Sequence, residues 1–268
     1  MRHRRGQRLR LDAGALTDAP RSRGRVLAGT SGFAYAGWSP QFYPPGIRAD
    51  RRLGHYASRL SACELNGTFY ARPTPERLDA WAAAVPPNFR FVVKGQRGGS
   101  IRALYASPAE SVPWLTEHLP RLGARLGARL GAMLFRIPSE VSRNDERLAG
   151  VLAAWPPGVP LVVEAQHPSW HVDETFAALR AANAVLCTTD LEGQEVPPDI
   201  RRTGPFLYVR LRRHAYAEAE LDDWARRLVP FLDHGLDAYV MFRHDKDGTS
   251  ALLAEGLAAR VERARALG

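Results

Sequence analysis

The sequence predicts one α/β domain, a single closed (β/α)8 barrel of the TIM type over residues 25–268, behind a flexible basic arm over residues 1–24. Three observations carry this. Short apolar runs end abruptly in a charged or polar residue, again and again. Eight such runs alternate with stretches of helical periodicity. No G-x-G-x-x-G turn, the mark of a doubly wound nucleotide-binding sheet, follows the first run. A buried parallel strand reads as a continuous apolar run, and its last residues face the mouth where ligands bind.

The predicted strands are 26–30, 62–66, 89–94, 132–136, 160–164, 184–190, 206–211 and 238–243. The first leads into Thr30-Ser31-Gly32, a tight turn able to offer backbone N–H groups to an anion. Tyr35, Trp38, Phe42 and Tyr43 follow. They either stack on a base or sugar or plug one side of the barrel, the plug being the plainer reading. The second strand runs into Glu64, with Asn66, Thr68, Phe69 and Tyr70 beyond it. The third ends at Lys94 and the fourth at Arg136. The fifth ends at Glu164, followed by His167 and Trp170, and the sixth ends at Asp190. The seventh carries Arg210, and the eighth reaches Arg243-His244-Asp245.

Helical periodicity covers 50–60, 75–84, 109–130, 143–155, 173–182, 218–234 and 249–266, with Ser142, Asp173 and Thr249 as expected N-caps. The connection 191–205 is rich in Pro and Gly and is expected to be irregular. The duplicated Arg-Leu-Gly-Ala units of 121–131 set Leu122, Leu126 and Leu130 on one face, as the outer end of the third helix. Each glycine there weakens the helix by ~1 kcal/mol relative to Ala.

An apolar fraction of 45% in 268 residues supports a sizeable core, and no run approaches the ~20 residues of a membrane span. Two cysteines, Cys63 and Cys187, lie inside predicted strands and read as free thiols of a reducing cytoplasm. The net charge is +9, of which residues 1–25 carry +6, leaving a nearly neutral body. The arm is either a basic segment for nucleic acid or a disordered start, and the second is the plainer reading. Only Lys94 and Lys246 are lysines, so the basic residues are almost all Arg.

Several motifs together resemble the DUF72 (YecE-like) family. They are Gly29-Thr30-Ser31-Gly32-Phe33 with Trp38 and Phe42-Tyr43-Pro44, then Glu64-Leu65-Asn66-Gly67-Thr68-Phe69-Tyr70, then Phe91-Val92-Val93-Lys94. Leu134-Phe135-Arg136-Ile137-Pro138 and Val163-Glu164-Ala165-Gln166-His167-Pro168-Ser169-Trp170 follow. Tyr208-Val209-Arg210-Leu211 and Phe242-Arg243-His244-Asp245 complete the set. The resemblance runs from about residue 25 to 266 and implies a TIM-type barrel, with no activity attached. Gln is usual in the family at Arg136, and Arg at Gln166. An Ile-Thr-His step usually follows the third-strand Lys, whereas this chain has Gln96-Arg97-Gly98-Gly99-Ser100-Ile101.

The mouth candidates divide by chemistry. Glu164, Lys94, His167 and Asp190 are the catalytic candidates. Glu64, Asn66, Tyr70, Arg136, Trp170, Arg210, Arg243, His244 and Asp245 are the substrate-binding candidates, with packing over the barrel rim the plainer reading of Trp170. Desolvation at the end of an apolar strand is expected to raise the pKa of Glu164 and suit it to acid–base work. His167 orients a water, binds a phosphate or caps the next helix. Lys94 is a Schiff-base candidate, with an ion pair as the plainer reading. Arg forks match phosphate and carboxylate oxygens, so an anionic small molecule or phosphodiester is the expected substrate. Nucleic-acid binding by the arm and the aromatic mouth is one alternative. A degenerate scaffold closed by ion pairs is another. No cofactor is named, and no metal set is assigned, since there is no H-x-H or H-E-x-x-H.

Overall fold

Eight parallel strands close on themselves in chain order: β1 (Val26–Ser31), β2 (Ala62–Leu65), β3 (Arg90–Lys94), β4 (Leu130–Ile137), β5 (Leu161–Ala165), β6 (Val185–Asp190), β7 (Leu207–Leu211) and β8 (Ala238–Phe242). The computed structural model describes residues 23–66, 73–194 and 196–266. Closure comes from β1 pairing with β8, from Val26 opposite Ala238 to Thr30 opposite Phe242. The predicted barrel is the observed one, and each predicted strand overlaps an observed strand.

Side chains along a strand alternate between two faces. One set fills the barrel interior, including Ala62, Val92, Leu134, Val162, Tyr208 and Met241. The other, including Cys63, Phe91, Phe135, Val163, Val209 and Val240, packs under the surrounding helices. This alternation decides which strand-end charges reach the mouth. Glu64, Lys94, Arg136, Glu164, Arg210 and Arg243 each stand two residues beyond one of those interior residues. Asp190 stands three beyond Cys187, on the opposite face.

The helices are α1 (Arg52–Arg59), α2 (Pro75–Ala84), α3 (Arg97–Tyr105), α4 (Pro108–Thr116), α5 (Leu119–Leu126), α6 (Asp145–Ala154), α7 (Asp173–Ala181), α8 (Glu218–Asp233) and α9 (Thr249–Ala266). The single helix expected over 109–130 is two, each with a proline in its first turn. Gly127, at φ 55°, ends α5, so Leu130 opens β4 instead of closing a helix. The α3 segment was hidden by its glycines, which lower helix propensity. Gly99 serves packing instead: a Cβ there would stand 2.8 Å from Leu115 and Trp114 of α4.

Asn144, not Ser142, caps α6, its side chain accepting from the Arg147 N–H at 2.9 Å. Asp173 is the first residue of α7, with Val172 in the cap position. At α9 the caps are Asp245 and Asp247, ahead of Thr249. The connection from β6 to β7 carries no helix among its described residues.

Trp38, Phe42 and Tyr43 are buried, with Tyr43 donating to the Phe33 carbonyl at 2.5 Å and Trp38 to that of Asp245 at 3.1 Å. They belong to the core under the helices, with the partly buried Tyr35 packed against it. Cys63 and Cys187 are free and buried. Among the described residues, no helix is long and apolar enough to cross a membrane. Residues 1–22, which make up most of the proposed arm, and Thr68, Phe69 and Tyr70 lie outside the described residues.

Candidate functional site

The mouth floor is a buried triad, Glu64–Arg210–Glu164, on β2, β7 and β5. Arg210 donates Nε and Nη2 to the two oxygens of Glu64, each at 2.9 Å. Its Nη1 meets both oxygens of Glu164 at 2.8 Å. Glu64 also accepts from Ser31 Oγ at 2.5 Å and from the Tyr208 hydroxyl at 2.8 Å. Glu164 accepts from Thr189 Oγ1 at 3.1 Å. Arg136 Nε lies 3.0 Å from Glu164 Oε2, an ion pair without hydrogen-bond alignment. Isolated charges cannot be left bare in such an interior, and these are paired and hydrogen-bonded.

The pairing overturns one expectation. Burial pushes the Glu164 carboxyl up, but Arg210 and Arg136 outweigh it and hold the group below the usual carboxylate range. Glu64 is likewise lowered against burial, by Arg210, Ser31 and Tyr208. Both stay ionised, with lone pairs committed, so Glu164 lacks the raised pKa that a general acid needs.

Above the floor stand cations with less company. Lys94 is half-buried at the end of β3, and none of its described neighbours pairs with it. Burial and then the Arg210 charge lower its pKa. Arg212, two residues beyond Arg210, is half-buried without a described carboxylate partner, and burial and Arg210 lower its pKa too. His244 is lowered by burial, then by Arg212, Arg243 and Lys94. Lys94, Arg136, Arg210 and Arg243 share the inward parity at the ends of β3, β4, β7 and β8, so these groups face one space. His244 stacks on Tyr35, ring centroids 5.7 Å apart at 14°. The Tyr35 hydroxyl donates to the Ser31 carbonyl at 2.9 Å and lies beside Asn66.

Three candidates are elsewhere. Asp190 faces outward, is buried, and pairs with Arg213 at 3.3 Å, so it does not reach the mouth. Trp170 is buried, its indole N–H donating to the Val141 carbonyl at 2.9 Å, leaving no face for a ligand. Asp245 spends its carboxylate on the Gly248 and Ser250 N–H groups at the start of α9. His167 takes the capping role: its Nδ1 accepts the Ser169 N–H at 3.2 Å and lies 2.8 Å from Ser169 Oγ.

Sequence reasoning missed Arg212 and Thr189, and gave the side chains of Ser31 and Tyr208 no role in the mouth. Period-two alternation was the available signal: Tyr208, Arg210 and Arg212 share one face. Among the described residues, no three His, Cys, Asp or Glu side chains cluster to hold a metal. A cavity of about 380 Å³ lies at the base instead, lined by Arg23, Arg25, Ser61, Asn88, Glu262 and Arg265. It touches none of the mouth residues, and its arginines are offset by Asp233, Asp237 and Glu262. The unpaired charge, more than the void, therefore marks the mouth.

A family model described as "Protein of unknown function DUF72" matches residues 27–267. The chain belongs to the DUF72 family. Within the wider set of relatives, UPF0759 protein YunF of Bacillus subtilis (strain 168) is 21% identical over 266 residues, covering 80% of this chain and 89% of its own. A DUF72 crystal structure from Thermotoga maritima is 24% identical with a TM-score of 0.78, over 89% of this chain and 99% of its own. One from Enterococcus faecalis V583 is 21% identical with a TM-score of 0.68, over 91% of this chain and 99% of its own. At these identities the DUF72 structures speak to the fold, and the chemistry rests on the mouth itself.

Proposed function

We propose that this DUF72 mouth binds and acts on a small molecule carrying a phosphate, phosphodiester or carboxylate group. One observation carries the reading: Lys94 and Arg212 are half-buried cations with no described carboxylate partner, above a triad already closed on itself. Buried charge without a partner is costly, and an anion would relieve both groups. Arg136 and Arg243 extend the same field.

Roles follow from the pairing. Glu64, Arg210 and Glu164 form the rigid floor, and Arg212, Arg136 and Arg243 clamp the anion. Lys94 and His244, whose pKa values are both lowered, hold the exchangeable protons. A closed scaffold would pair every mouth charge, and the lack of a described carboxylate partner at Lys94 and Arg212 favours the binding reading over it.

Calorimetric titration with inorganic phosphate and with a phosphodiester tests the reading. Lys94→Met and Arg212→Met should each weaken binding about tenfold, the worth of one charge-assisted hydrogen bond. Failure of phosphate, phosphodiester and citrate alike to bind would sink it, as would undiminished binding in the double variant.

A further inference from the structure

The unpaired amine at the mouth has a use beyond holding charge. Lys94 stands at the end of β3, facing inward, two residues beyond the interior residue Val92. The composition makes it unusual, because two of the chain's 37 basic residues are Lys and the other, Lys246, is exposed. Where anion binding is all that is needed, Arg serves, as at Arg136, Arg212 and Arg243. Arg cannot lose its proton in a protein, whereas a lysine desolvated beside other cations can become a neutral amine. Burial and then Arg210 lower the Lys94 pKa, with Arg136 and Arg212 adding to them and the Glu64 charge acting the other way, and among the described residues no ion pair is formed at Nζ. The floor carboxylates direct their hydrogen bonds elsewhere, since Arg210 and the hydroxyls of Ser31, Tyr208 and Thr189 occupy their oxygens.

We infer that Lys94 is an amine nucleophile that captures an aldehyde or ketone bearing a carboxylate or phosphate group, forming an imine at Nζ. The inference rests on the anion-binding reading of the mouth, because the arginines hold the substrate's charged group while Nζ meets its carbonyl carbon. The Nζ lone pair forms the C–N bond as the carbonyl π pair moves to oxygen. A proton passes from nitrogen to that oxygen, giving a carbinolamine. The nitrogen lone pair then expels the hydroxyl, which leaves as water with a second proton, and the iminium remains. His244, which feels the Lys94 charge, is the mouth group suited to relay these protons. No oxidant or reductant is consumed.

Borohydride trapping on the full chain tests the step. The protein is incubated separately with pyruvate, with glycolaldehyde phosphate and with uncharged propanal, reduced, and mapped by peptide mass spectrometry. Hydride adds to the imine carbon, so pyruvate leaves a secondary amine heavier by pyruvic acid less one oxygen atom. The expected result is an adduct on Lys94 from the two anionic carbonyls, at least about tenfold above Lys246 and above the propanal adduct on Lys94. Lys94→Arg should lose the adduct, and phosphate titration of the parent protein and of Arg212→Met reads the arginine clamp separately.

Phosphate binding without any Lys94 adduct overturns the imine and leaves the anion-binding mouth standing. A Lys94 adduct favouring propanal, with no phosphate binding, overturns the anion-binding mouth and with it the substrate class named here. Equal labelling of Lys94 and Lys246 by all three carbonyls overturns the inference as generic amine reactivity.

Discussion

Arg210 meets Glu64 fork to fork, Nε on one oxygen and Nη2 on the other, both at 2.9 Å, with neither side chain more than 1% exposed. A planar guanidinium is made for this arrangement, and the remaining amine, Nη1, reaches Glu164. One cation thereby satisfies two buried carboxylates that repel each other. Arg210→Met should cost about 3–5 kcal/mol in urea unfolding, because it strands two charges in a dry floor. Replacing all three members by apolar residues should recover most of that loss. A single variant as stable as the parent would show that the triad is not what holds the floor.

The same relationship sets the acid response. Glu64 and Glu164 are lowered in the folded state, so their stabilisation is complete above their ordinary value of 4.5 and lost as pH falls through the folded values. In Arg210→Met burial has the larger hand, and it raises a carboxyl. That variant should gain stability relative to the parent as pH falls from about 7 to 4. Urea midpoints for both proteins across this range check the sign; parallel curves would contradict it.

Asp245 caps a helix. Its carboxylate accepts the Gly248 N–H at 2.8 Å and the Ser250 N–H, at the positive end of α9. Asp245→Ala should cost about 1 kcal/mol, a fall of roughly 2–4 °C in melting temperature. Phosphate affinity should stay within about twofold, and a larger loss would return Asp245 to the site.

The barrel was legible because its signal is cumulative. Eight apolar runs each identify a buried strand, and their alternation with helices leaves few topologies. The mouth was legible only in part. Reading a strand's last polar residue as its mouth residue works when that residue shares parity with the interior positions, as Glu164 does with Val162. It fails for Asp190, whose parity is that of the outward face. Trp170 failed for another reason: an indole after a strand end can turn under the rim as readily as over it, and only its bond to Val141 decides. The Glu164 shift was misread because desolvation is visible in an apolar run, while the partner that reverses it lies on another strand, at Arg210.

Lys94 should make ligand binding depend on pH in a way that arginine cannot. Its pKa is lowered from 10.5 by burial and by Arg210, so its charge is lost earlier than usual as pH rises. A bound anion favours the charged form and draws a proton back. Phosphodiester binding above neutral pH should therefore take up protons, and its affinity should fall as pH climbs through the lowered Lys94 value. A phosphodiester keeps constant charge there, so the uptake belongs to the protein. His244, lowered from 6.5, contributes only on the acid side. Calorimetry at one alkaline pH, in two buffers of different ionisation enthalpy, measures the uptake. Lys94→Arg should bind with none, and equal uptake in both proteins would assign the proton to another group.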